Sequence, residues 1–246
     1  MPSRRVVISG VGLITPLGIG VEETWRELCA GKSGIGEITR FDTSDFQTKI
    51  AGEVKDFRPE DFLTQKDARR TTTFIAYAVA ATRMALEDSG LVIDQSNADR
   101  VGVFTGCGLG GLASLEETNR IIETRGPSRV SPFFIPMMIG NMAAGMISMQ
   151  FGAKGPNACM ATACAAGSHS IGDAFKLVQQ GRADGMIAGG VESVITPSCI
   201  AGFNAMKALS TRNDAPQKAS RPFDRDRDGF VVGEGSGIVI LETLEA

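Results

Sequence analysis

The sequence has 246 residues, 43% of them hydrophobic and 22% charged, with a net charge of −3. That balance belongs to a globular chain and excludes wholesale disorder, and the net charge is too small for a nucleic-acid-binding surface. Nothing apolar approaches the ~18 residues of a membrane span, and residues 1–15 show no leader pattern, because Gly10 and Gly12 break the apolar stretch 6–14.

Residues 5–10 (RVVISG) predict a buried strand ended by glycine. Residues 20–30 predict a helix with Trp25 and Leu28 on one face, stopped by Gly31. Loops with short elements follow over 34–61. Residues 65–88 predict one long helix, ended by Ser89 and Gly90. A second strand at 101–106 runs into the glycine-rich 106–111 (GCGLGG). Next come a helix at 112–124, a turn-rich loop at 126–136 carrying Phe133 and Phe134, and an apolar helix at 136–151. A short strand at 159–163 precedes a helix at 165–180, then a strand at 186–190 and a short helix at 202–209. Glycine-rich 229–237 leads into a closing strand at 237–242. Strands and helices alternate without repeat or linker, so the pattern predicts a layered α/β fold with a mostly parallel sheet flanked by helices.

The five cysteines, Cys29, Cys107, Cys159, Cys164 and Cys199, form an odd, scattered set. That pattern fits reduced thiols in a cytoplasm. With a single histidine, His169, and no CxxC pair, no metal is expected. Asp224, Asp226 and Asp228 alternate in a loop, but an EF-hand would need glutamate where Gly235 stands. Their neighbouring arginines are expected to pair with them. Glycine-rich 106–111 lacks the Gly-Lys-Ser/Thr ending of a phosphate loop, so no nucleotide and no cofactor is expected.

The strongest chemical signal is NACMATACAAG at 157–167. A short strand ends in small residues, and Ile171, Ala174, Phe175 and Val178 then mark one face of a helix. Cys164 falls at the turn, where free N–H groups and the helix dipole favour a thiolate. A small buried hydrophobe is the alternative fate of such a cysteine.

This segment resembles the active-site block of the β-ketoacyl-acyl-carrier-protein synthases, the condensing enzymes of bacterial fatty acid synthesis. VVISGVGLITPLG at 6–18, SPFFIP at 131–136 and ALSTRNDAPQKASRPFDRDRDGFVVGEGSG at 208–237 are similar to further signatures of that family. The resemblance implies a thiolase-like fold, Cys164 as the acyl-accepting nucleophile, and decarboxylative condensation with malonyl-acyl carrier protein. It implies an acyl pocket at Leu109, Phe134, Ala163 and Phe203, for which plain core packing is the alternative. It implies docking of acyl carrier protein at Lys66, Arg69 and Arg70, spaced to share one helix face, and at Arg129 and Lys207. A solvated charge cluster is the alternative there. It also implies a homodimer paired along 157–163, with Met137, Met138, Met142 and Met146 near the axis.

The family's two catalytic histidines lie in a C-terminal half that residues 1–246 do not contain, so the resemblance is to the N-terminal half of such a domain. His169 lies five positions beyond Cys164, about 140° around a helix, and is expected to pack or hydrogen-bond rather than catalyse. Two readings follow: an acyltransferase represented by its N-terminal half, or a non-catalytic half-domain that folds, dimerises and binds carrier protein. A chain-length-factor identity is disfavoured by Cys164, and a cysteine hydrolase by the absence of a placed base.

Overall fold

The computed structural model describes residues 4–244. In chain order its elements are β1 (Val6–Thr15), β2 (Gly18–Ile19), α1 (Val21–Cys29), β3 (Gly36–Glu37), β4 (Ile50–Ala51), α2 (Gln65–Ala68), α3 (Thr73–Ser89), β5 (Val101–Gly106), α4 (Leu112–Arg125), α5 (Phe134–Met138), α6 (Met142–Phe151), β6 (Asn157–Met160), α7 (Ala166–Gln179), β7 (Gly185–Glu192), α8 (Pro197–Ala205) and β8 (Gly235–Thr243).

Six strands form one sheet in the order β2-β1-β8-β7-β5-β6. β5 pairs parallel with β6 and β7, whereas β8 runs antiparallel to both β7 and β1. β1, β7, β5 and β6 therefore share one direction, and β8 and the short β2 oppose them. The sheet is mostly parallel in strand direction, as expected, but one reversed strand sits inside it.

Alternation along the strands separates two cores. Val101, Val103, Ile187, Ile238 and Ile240 pack with α3 and α6 on one face. Phe104, Met186, Ala188, Val239 and Leu241 pack with α7 on the other. The first face closes because β1 has glycine where α3 crosses it. A Cβ on Gly10 would lie 2.2 Å from the Ala85 carbonyl oxygen, and one on Gly12 1.9 Å from that of Ala81. α3 answers with Ala76, Ala78, Ala80, Ala81 and Ala85, all buried. A third cluster, including Val194, Ile200, Leu209 and Val232, lies around α8. Among the described residues, no helix is long and apolar enough to cross a membrane.

Five sequence expectations need correction. The strand expected to end at Gly10 runs on through Gly10 and Gly12 to Thr15. The helix expected at 65–88 is two helices, α2 and α3, because Thr72, the middle of three successive β-branched threonines, adopts extended geometry just before α3. Lys66, Arg69 and Arg70 are therefore not on one continuous helix face. The helix expected at 136–151 breaks into α5 and α6, because the Met138 carbonyl accepts from Gly111 N (2.9 Å) and Ile139 turns extended. The short helix at 202–209 instead begins at Pro197, where the Thr196 hydroxyl caps Cys199 N (3.3 Å), and ends at Ala205, with Lys207 at φ +55 turning the chain two residues beyond it. The strand expected at 159–163 ends at Met160. On α1, Trp25 and Leu28 do share a face, and both are exposed, at 64% and 55%.

Candidate active site

Cys164 lies in a single 3-10 turn, residues 163–165, between β6 and α7. The preceding Ala163 has φ +52, a left-handed conformation that costs a residue with a Cβ on the order of 1–3 kcal/mol. The turn stays sharp because the chain on either side is packed backbone to backbone. A Cβ on Gly106 would come 2.1 Å from the Ala166 carbonyl carbon, and one on Gly190 3.1 Å from the Gly167 Cα. Glycine at 106, 167 and 190 thus lets the start of α7 sit on the ends of β5 and β7. Cys164 is left exposed at its tip.

The sulfur's residue lines a cavity of about 720 Å³. Leu109, Ala163 and Phe203, all anticipated from the family resemblance, line the same cavity. Phe230 adds to its wall and meets Phe203 edge-on at 5.1 Å. Phe134 does not join them. It lines a second cavity of about 580 Å³ with Thr72, Phe74 and Met137. The cause is the seat of α5: Thr72 Oγ1 donates to the Met137 carbonyl at 3.3 Å and Gly111 N to that of Met138. The glycine loop stands between, with Gly108 and Leu109 on the first cavity and Gly111 on the second.

His169 reaches back from α7 to the turn, its Nδ1 2.6 Å from the Thr162 hydroxyl. Its hydrogen bond is made to the segment before Cys164 rather than within the helix layer.

Two carboxylates at the cavity were not anticipated. Glu192, the last residue of β7, faces the glycine loop and accepts from its backbone. Glu234 is buried; it accepts from Val54 N at 2.8 Å, Ser193 Oγ at 2.7 Å and Tyr77 Oη at 3.3 Å, and it pairs with Arg40. Burial, with the Glu234 charge beside it, pushes the Tyr77 phenol up from its ordinary range. The available sequence signal was a lone acidic residue ending each of two apolar or glycine-rich runs, MIAGGVE and FVVGE.

In the loop 221–228, Arg221 pairs with Asp224 (2.9 Å), Arg225 with Asp226 (3.3 Å), and Arg212 with Asp228 (3.6 Å). The backbone N–H of Asp226 and the Arg221 guanidinium hold the Asp224 carboxyl below its usual range. The basic residues lie on three segments. Lys66 is on α2, with Arg69 and Arg70 in the turn after it; Arg129 ends a 3-10 turn, and Lys207 follows α8. All five are exposed, and Arg70 stacks 4.7 Å over the Phe133 ring.

The thiols differ in environment. Cys29 and Cys164 are exposed, whereas Cys107 and Cys199 are buried. Burial, followed by the Glu192 and Glu116 carboxylates, pushes the Cys199 thiol up to about 11, and burial beside Glu192 raises that of Cys107 further. Since the thiolate is the reactive form, Cys199 labelling should climb only as pH rises toward 11. Limiting iodoacetamide at pH 8 should label Cys164 first and leave Cys107 and Cys199 intact, as read by peptide mapping. Cys199 reacting as fast as Cys164 at that pH would refute the assignment.

A family model described as the β-ketoacyl synthase N-terminal domain matches residues 3–246. The chain is 55% identical over 246 residues to 3-oxoacyl-[acyl-carrier-protein] synthase 2 of Synechocystis sp. and 51% identical to that of Vibrio cholerae. These alignments take in 100% of this chain and 59% of each relative, so the chain spans about three fifths of their length. Among solved structures, a β-ketoacyl synthase from Burkholderia phymatum superposes with a TM-score of 0.88 at 33% identity, over 98% of this chain and 60% of that one. A type II PKS ketosynthase, bound to a hexaketide and in complex with its acyl-carrier protein, superposes with a TM-score of 0.85 at 31% identity, over 99% of this chain and 59% of that one.

Proposed function

We infer, from the premise that this chain belongs to the β-ketoacyl synthase family through its N-terminal domain, that Cys164 accepts acyl groups from a carrier-protein thioester. The observation that carries this reading is an exposed cysteine on a left-handed turn at the start of α7, opening on a cavity with Leu109 and Phe203 in its wall. The Cys164 thiolate attacks the thioester carbonyl carbon. The new C–S bond forms as the carrier's own C–S bond breaks and its thiolate leaves, and the nucleophile's own N–H is one donor to the transient oxyanion. The acyl chain then lies along Leu109, Ala163 and Phe203.

In the complete reaction, malonyl-acyl carrier protein loses carbon dioxide and its carbanion attacks the Cys164 thioester, releasing the thiolate and a β-ketoacyl thioester. By the family resemblance, the two histidines that stabilise the enolate belong to the part of the relatives beyond the matched region. His169 is not one of them in this reading, because its Nδ1 is engaged by Thr162. Residues 1–246 are thus read as the N-terminal half of a condensing-enzyme domain, competent for acyl transfer and not for decarboxylation.

An acidic acyl carrier protein is the proposed partner, with Lys66, Arg69, Arg70, Arg129 and Lys207 as its docking charges. The ketosynthase relative captured with its carrier supports this. A cytoplasmic homodimer completes the reading. β6 lies at the end of the strand order with β5 as its one neighbour, so its outer row of backbone groups can pair with a second copy. Of the methionines expected near that axis, Met142 and Met146 pack partly against the core and Met137 and Met138 are half-buried.

Incubation with an acyl-carrier thioester should add one acyl mass to the peptide bearing Cys164, and the adduct should vanish in Cys164→Ala. Carbon dioxide release from malonyl-carrier protein should be absent for residues 1–246. An adduct that persists in Cys164→Ala, or none in the unaltered chain, would overturn the transfer reading and leave the non-catalytic half-domain in its stead.

A further inference from the structure

Between β5 and α4 the chain passes through Cys107-Gly108-Leu109-Gly110-Gly111 with no strand or helix to receive its N–H groups. The two ends of this loop are tied to backbone: Cys107 N donates to Met160 O at 3.0 Å and Gly111 N to Met138 O at 2.9 Å. The three N–H groups between them all turn to one side chain. Glu192 Oε2 accepts from Gly108 N at 2.7 Å and Leu109 N at 3.0 Å, and Oε1 accepts from Gly110 N at 3.0 Å. The Cys107 thiol adds a fourth donor to Oε1 at 3.4 Å.

A concave run of N–H groups is an anion-binding device. Here the anion is built into the chain at the end of β7. The arrangement requires an acceptor-only group, because an amide would turn its own NH2 against one of these donors. It also requires glycine on either side of Leu109. Gly110 has φ +66, and a Cβ on Gly108 would lie 2.9 Å from Glu192 Oε2.

Leu109 is the one large side chain of this loop. It lines the Cys164 cavity yet remains 52% exposed, so packing does little to hold it. What holds its backbone is the Glu192 carboxylate. We propose that Glu192 is a positioning residue, fixing Leu109 as the stop that limits how long an aliphatic chain can lie against Cys164. The biological meaning of that stop rests on the acyl-transfer reading above; its existence does not.

The test alkylates Cys164 with N-alkyl iodoacetamides of increasing length, from ethyl to dodecyl. The unaltered chain is compared with Glu192→Gln, Leu109→Ala and the double variant, and labelling is scored by peptide mapping. In Glu192→Gln the long-to-short rate ratio should rise about tenfold, equivalent to ~1.4 kcal/mol. Leu109→Ala should raise it likewise, and the double variant should add little, since both changes remove the same stop. Gly108→Ala displaces the carboxylate without altering charge and should move the ratio the same way, which keeps the test open if Glu192→Gln fails to fold. An unchanged ratio in the folded carboxylate variants, even with lowered stability, or full additivity in the double variant, would overturn the proposal. Alkylation needs only an exposed thiol, so it reports on the stop whether or not carrier thioesters acylate Cys164.

Discussion

Replacing Glu234 with alanine should destabilise the protein by about 3–5 kcal/mol, the cost of breaking a buried ion pair from one side. The Glu234 side chain has 0% exposure and the Arg40 side chain 33%. The carboxylate gathers donors from four separated parts of the chain: Arg40, Val54 N, Tyr77 Oη on α3, and Ser193 Oγ after β7. Alanine would leave a part-buried guanidinium without its counter-charge and three further polar groups without an acceptor. Glu234→Gln keeps the volume and one acceptor oxygen, so its loss should be smaller, about 1.5–3 kcal/mol, the range for hydrogen bonds to charged groups. Urea denaturation followed by circular dichroism gives both values. A loss under ~1 kcal/mol for Glu234→Ala would mean that water replaces the carboxylate, contrary to its burial.

Gly12→Ala should cost about 3 kcal/mol or more, at the upper end for overpacked cores. The added methyl would stand 1.9 Å from the Ala81 carbonyl oxygen and 2.8 Å from Ala85 N. Both are backbone atoms of a central helix, so no rotamer change relieves the clash and α3 must lift from β1. Gly172→Ala is the matched control. Its Cβ would meet nothing within 4 Å, and it lies inside α7, so the substitution should stabilise by roughly 0.5–1 kcal/mol through helix propensity. Thermal midpoints of the two variants should move in opposite directions; a neutral Gly12→Ala would show that α3 is not seated on β1 as described.

Much of the architecture was legible because it is written in local signals. β5 has its expected bounds, and α4 and α7 agree with expectation to within a residue at each end, since glycines or small residues punctuate them. The breaks at 69–72 and 139–141 were not legible. The second exists because Gly111 N takes the Met138 carbonyl, a contact between segments far apart in sequence. The site divides in the same way. Cys164 announces itself through its small neighbours and the helix that follows. Glu192 and Glu234 do not, because the groups that give them meaning lie on distant strands, loops and helices. Phe134 shows the converse: its motif carried it toward the cysteine's cavity, while the seat of α5 holds it at the neighbouring one.

The position of β8 has a consequence for the order in which the molecule can be built. β1 pairs with β8 from Val6↔Thr243 to Ile14↔Ser236, and its other neighbour, β2, meets it at Ile14 and Thr15 alone. A ribosome therefore releases β1 long before the strand that will hold it, while β5, β6 and β7 can already assemble behind it. Until residue 235 emerges, the nascent chain carries two facing rows of unpaired backbone groups, on β1 and on β7, with α3 lacking half its floor. Such late, long-range closure slows folding and leaves strand edges open to the wrong neighbour. Nascent chains stalled before β8 should be the ones that recruit chaperones.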